Sequence, residues 1–145
     1  MKTYYDSEDI LDDLQILFDW FITRTIGIDG IALVLNSSII ARSQILEEKF
    51  DTTIVPSLLG NLIETTIDTL GDNMNLYYVN LITQNTNGEL QAWTLVYPYK
   101  NYRLIFSGKI DIEEKLHLDQ AVDESTVLNY VRDIVPLIQS YDNLT

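Results

Sequence analysis

Leu76-Tyr77-Tyr78-Val79-Asn80-Leu81-Ile82-Thr83, then Glu89 to Tyr99 (ELQAWTLVYPY), then Tyr102-Arg103-Leu104-Ile105-Phe106-Ser107-Gly108, is the stretch that decides the fold of this chain. Its three runs are rich in Val, Ile, Leu and Tyr, residues that suit a pleated, packed surface. Asn85-Thr86-Asn87-Gly88 and Lys100-Asn101 interrupt them at hairpin length, so the runs read as an antiparallel meander. In Leu76 to Leu81 and Leu90 to Tyr97, alternate positions are apolar on both faces, which predicts a sheet covered on both sides. Charge marks the same block. Residues 76–109 hold one acid and three bases, whereas 1–75 hold thirteen acids and four bases and 110–145 eight acids and two bases.

Upstream, Gly30 to Leu35 and Ile39 to Ser43 read as two further strands joined through Asn36-Ser37-Ser38. Before them, Ile10, Leu14, Leu17, Phe18 and Phe21 recur at spacings of three and four, predicting an amphipathic helix from Asp6 or Ser7 to about Thr25. Asp6, Glu8 and Asp9 stand at its start, where carboxylates suit the unpaired N–H groups. After a polar connector, Glu47 to Thr53, Pro56 suits the first turn of a second helix ending near Leu70 and Gly71. A polar stretch, Lys109 to Val122, leads to a last helix opened by Asp123 or Ser125, with Pro136 expected to kink or end it.

The 145 residues fit one domain spanning 1–145. At 46% hydrophobic and 21% charged, the composition is that of a globular protein. Twenty-two acids against nine bases give a net charge of -13, which repels a phosphate backbone and argues against nucleic acid as a partner. With no Cys and one His, thiolate metal sites and cysteine nucleophiles are excluded, and zinc and Ser-His-Asp chemistry lack parts. No run approaches the ~18–20 apolar residues of a membrane span. The first nine residues lack the apolar core of a signal peptide. A cytoplasmic protein that does not insert in membranes is the expectation.

Coverage of the sheet bears on assembly. At 100° per residue, Ile54, Val55, Leu58, Leu59, Leu62, Ile63, Ile67 and Leu70 would spread over roughly 220° of the second helix, against ~100° for an ordinary surface helix. Five strands span about 24 Å at ~4.8 Å spacing, and a helix covers only ~10–12 Å. Three helices therefore fall one short of covering both faces, and a second copy related by a two-fold axis would supply the missing one. Contacts with the 109–122 segment or the connectors are the alternative use of those side chains.

The order helix, two strands, helix, three strands, helix, with Gly30-Ile31-Ala32-Leu33-Val34-Leu35 leading the first hairpin and Ile40-Ala41-Arg42-Ser43 closing it, resembles the roadblock (dynein light chain) family over residues 7–141. Asn36-Ser37-Ser38 replaces the family's common Asp-Gly hairpin tip, and the 109–122 segment is longer than usual. The resemblance implies an α/β fold, α-β-β-α-β-β-β-α, whose five-stranded, antiparallel-rich sheet carries helices on both faces. It also implies a homodimer, or a heterodimer with a related subunit, in which the second helices pair and the third strands join edge to edge. Leu58, Leu59, Leu62, Ile63, Tyr77, Val79 and Leu81 are the expected dimer-interface residues. The implied function is non-enzymatic: regulation or scaffolding, with small Ras-like GTPases as a partner class and no cofactor. An acidic secretion-type chaperone that binds an extended client segment is the alternative.

Little else in the sequence points to chemistry. No GxxxxGK[ST] or GxGxxG cradle occurs. His117 fits an exposed loop better than a metal or pH-sensitive site. Asp12-Asp13, Glu47-Glu48 and Glu113-Glu114 fit solvated faces, since adjacent helix residues do not face each other. No carboxylate pair is singled out for hydrolase chemistry, and Arg24, Arg42, Arg103 and Arg132 fit surface salt bridges better than arginine fingers. Tyr97, Tyr99 and Tyr102 with Lys100 and Arg103 fit strand packing better than base stacking. Ile16 and Trp20 lie outside the main apolar arc of the first helix and are a candidate docking spot for a partner, since Trp is favoured as an interface anchor, with a Trp edge covering a neighbouring loop as the equal alternative.

Overall fold

The computed structural model describes residues 4–25, 27–36, 38–43, 69, 77–84, 86–88, 90–110 and 124–145. Its elements are α1 (Ser7–Arg24), β1 (Gly30–Leu35), β2 (Ser38–Arg42), β3 (Tyr78–Gln84), β4 (Leu90–Tyr99), β5 (Tyr102–Ile110) and α2 (Glu124–Leu144). The second helix expected near residues 54–70, the 109–122 segment beyond Ile110 and His117 lie outside the described residues.

Helix α1 begins where its caps dictate. The Asp6 carboxylate accepts from the Asp9 N–H at 3.1 Å, while the Asp6 N–H donates to the Asp9 carboxylate at 2.8 Å. Two orphan donors are thereby satisfied in a reciprocal capping box. Ile10, Leu14, Phe18 and Phe21 then point one way and are fully buried. Burial of a side chain such as Phe18 contributes about 1.5–3 kcal/mol.

The sheet order is β2-β1-β5-β4-β3, and all four pairings are antiparallel. The meander β3-β4-β5 follows the sequence reading. The hairpin β1-β2 joins it through β1 beside β5, with Ala32 opposite Ile105 and Leu33 opposite Leu104. Two turn residues take positive φ, Asn36 at 51° and Lys100 at 46°. Asn tolerates that region because its short side chain can bond locally, and Leu35 pairs with Ser38, one residue earlier than the expected strand start at Ile39.

Side-chain alternation divides the sheet into two apolar faces. Ile31, Leu33, Ala92, Val96, Leu104 and Phe106 pack with α1 and with Val127, Val131, Ile134 and Ile138 of α2. Ala32, Val34, Trp93, Leu95 and Ile105 form a second buried cluster on the opposite face. Both sides of the central strands are therefore apolar and buried, as the doubled patterning of the sequence requires.

Helix α2 runs through Pro136 rather than ending there. The proline lacks the N–H that would reach the Arg132 carbonyl, but Pro136 and Arg132 both lie on the exposed side of α2, where water can satisfy that carbonyl.

Candidate protein-interaction surfaces

The terminal strand β3 is the first candidate. Tyr97 donates its N–H to the Tyr77 carbonyl at 3.0 Å, which fixes the hydrogen-bonded pairs of the β3–β4 ladder as Tyr77/Tyr97, Val79/Leu95, Leu81/Trp93 and Thr83/Gln91. The backbone groups of Asn80 and Ile82 consequently face the outer edge of β3. Among the described residues no strand lies on that side. Side-chain bonds tie the strand to β4: Thr94 Oγ1 donates to Asn80 Oδ1 at 2.8 Å and Trp93 Nε1 donates to Thr83 Oγ1 at 2.9 Å. Val79 and Leu81 are half-buried against the second cluster, while Tyr77 and Ile82 are 52% and 51% exposed. Of the expected dimer-interface residues, Tyr77, Val79 and Leu81 thus lie together at this edge, and Leu58, Leu59, Leu62 and Ile63 fall outside the described residues.

The second candidate is a groove between α1 and α2, about 440 Å³ in volume, lined by Asp13, Ile16, Leu17, Trp20 and Leu137. Ile16 is 67% and Trp20 46% exposed. The Arg24 guanidinium lies over the Trp20 ring, 3.9 Å from its centroid, and Phe21 meets the same ring edge-on at 5.7 Å. Below the groove the helices are clamped by Phe21 stacked on Tyr130 and by a hydrogen bond between the Thr25 and Tyr130 hydroxyls. The sequence placed Ile16 and Trp20 correctly on the helix circumference. The Leu137 wall was not visible there, because it depends on how α2 packs.

A third, more polar cleft of about 670 Å³ separates the start of α1 from the edge strand β2, with Glu8, Asp12, Ile40 and Arg42 among its walls.

The aromatic and basic cluster at the β4–β5 turn is bonded to Asp142 of α2. Tyr102 is 2% exposed, and its hydroxyl donates to Asp142 Oδ1 at 3.2 Å. Lys100 Nζ reaches Asp142 Oδ2 at 2.6 Å and also sits over the Tyr99 ring. Burial, followed by the neighbouring carboxylate, pushes the Tyr102 phenol up to about 12. The Lys100 ammonium holds the Asp142 carboxyl below its ordinary value. Of the arginines, Arg103 is buried in the sheet, Arg24 covers Trp20, Arg42 lines the third cleft and Arg132 is exposed on α2. Among the described residues there is no group of three or more His, Cys, Asp or Glu side chains placed to hold a metal ion. No helix among them is long and apolar enough to cross a membrane.

No protein-family model matches the sequence, and no curated protein matches it. Among solved structures, the chain is similar to MglB of Myxococcus xanthus, a roadblock-family protein, with a TM-score of 0.64 at 12% identity over 97% of this chain and 96% of that one. At that identity the likeness speaks for architecture. Together with the five-stranded antiparallel sheet and the helix-strand order, it shows that the chain has a roadblock-like α/β fold.

Proposed function

We propose that this protein is a non-enzymatic regulatory or scaffold module of the cytoplasm that works as a dimer and binds a protein partner, with a small Ras-like GTPase as the partner class. The observation that carries the reading is the outer edge of β3, a sheet-terminal strand with apolar side chains on both faces and the backbone of Asn80 and Ile82 directed away from β4. An edge of this kind invites another strand. The same edge of a second copy satisfies it symmetrically across a two-fold axis. On sequence grounds Leu58, Leu59, Leu62 and Ile63 complete the interface beside Tyr77, Val79 and Leu81. The acidic chain favours a basic docking surface on its partner.

The test is direct. The purified protein is added to each small GTPase of its own cell, and binding, nucleotide exchange and single-turnover GTP hydrolysis are recorded. Complex formation with one of them and a changed rate of exchange or hydrolysis are expected. No binding and no rate change with any of them would remove GTPase regulation from the proposal.

A further inference from the structure

We propose that the α1–α2 groove built on Ile16, Trp20 and Leu137 receives a basic amphipathic helix from a partner protein. The inference is independent of strand pairing at β3, since the groove lies on the outer side of the helical layer.

The groove has the chemistry of an interface core. Ile16 and Trp20 stand one helical turn apart, and both are exposed although their neighbours Leu14, Phe18 and Phe21 are fully buried. Trp20 is held in place before any partner arrives, one face under the Arg24 guanidinium and the ring in a T-shaped contact with Phe21. A ring fixed in this way loses little freedom on binding, which favours its use as an anchor.

Shape selects the class of occupant. The walls are two packed helices of 18 and 21 residues, about 27 and 31 Å long at 1.5 Å per residue. The groove follows α1 from Asp13 to Trp20, two helical turns, with Leu137 of α2 opposite, and a trough of this form suits a rod rather than a compact small molecule. A helix that places apolar residues at i, i+3 or i+4 and i+7 fills such a trough.

Charge selects the sign. Asp13 lines the groove. Asp12 and Asp19 flank Ile16 on the α1 circumference, and Asp133 lies one turn before Leu137 on the exposed side of α2. Arg24 is the one base on α1, against five acids. Lysine or arginine on both borders of the incoming apolar stripe would meet these carboxylates. An acidic helix or an anionic membrane surface would be repelled.

Two fluorescently labelled synthetic peptides of about five helical turns test the proposal, both with the same leucine stripe, one with a lysine-rich and one with a glutamate-rich polar face. Polarisation titrations are run against the whole protein at about 0.15 M ionic strength. The lysine-rich peptide should bind and the glutamate-rich peptide should not. The double variant Ile16→Ser/Trp20→Ser should weaken binding by about thirtyfold, the scale of a lost hot spot, while Ile82→Ser on the β3 edge leaves it unchanged. In two-dimensional NMR the Trp20 indole N–H should shift on titration and that of Trp93 should not. Absence of binding by the lysine-rich peptide, equal binding of both peptides, or full binding by the folded double variant would each overturn the proposal. Loss of self-association in the double variant would also overturn it, by identifying the occupant as a second copy.

Discussion

Ile82 stands opposite Ala92 across the β3–β4 ladder as a non-hydrogen-bonded pair, whereas Val79 and Leu95 exchange bonds. Two residues of one strand therefore direct their N–H groups to opposite sides. Proline tests this parity, because an edge strand accepts it only where the missing N–H points outward. Ile82→Pro should retain the cooperative thermal transition of the parent. Val79→Pro should orphan the Leu95 carbonyl inside the sheet at a cost of about 1–3 kcal/mol. Equal melting temperatures for the two variants would show the register to be wrong.

The helix pair has its own test. Phe21 is fully buried and stacks on Tyr130 with ring centroids 3.8 Å apart. Phe21→Ala should cost about 3–5 kcal/mol in urea unfolding. Tyr130→Phe, which keeps the ring and removes its bond to Thr25, should cost only about 0.5–1.5 kcal/mol. A larger loss for Tyr130→Phe than for Phe21→Ala would contradict the packing described.

Acid and alkali should act on the Asp142 cluster in opposite ways. Asp142 is lowered by Lys100 and, against the opposing effect of burial, by Tyr102. Its contribution is present above the ordinary carboxylate value and is lost as pH falls through the lowered one. Tyr102 is raised from 10.0 to about 12, so its contribution is complete below 10.0 and fades as pH rises toward about 12. Asp142→Asn should flatten the acid limb of a melting-temperature profile. Tyr102→Phe should shrink the late step of an absorbance titration of the tyrosines by one phenol, leaving the share of Tyr5. An unaltered titration would place the late-ionising phenol elsewhere, Tyr5 being the other one pushed up to about 12, by its hydrogen bond to Asp13.

At the start of α1, Asp6→Ala should cost about 1 kcal/mol and Asp6→Asn much less, since an amide oxygen can still accept from the Asp9 N–H. Equal losses for the two would show that charge near the helix end, rather than the capping bond, supplies the stabilisation.

The sequence disclosed the elements whose cause is local. The three- and four-residue spacing from Ile10 to Phe21 located α1 to within a residue, and Gly30 to Leu35 coincides with β1. Features that depend on distant packing were not legible. Nothing near Ala32 announces Ile105 as its neighbour, because the two are far apart in the chain. Pro136 signals a kink or an end, yet α2 continues through it, with Pro136 and Arg132 both on its exposed side. For the candidate surfaces, helical geometry placed Ile16 and Trp20 outside the buried arc, yet Leu137 and the flanking Asp133 come from another helix. At β3 the apolar residues Val79 and Leu81 drew notice in the sequence. The outward backbone belongs instead to Asn80 and Ile82, a parity set by the register with β4.

The central claim, that a second copy pairs at the β3 edge, is tested most directly by light scattering during gel filtration over a dilution series of the parent and of Ile82→Pro. The account predicts twice 16.7 kDa for the parent and a folded 16.7 kDa species for the variant. A parent that elutes at 16.7 kDa at every concentration, or an Ile82→Pro variant that remains fully dimeric, would contradict it.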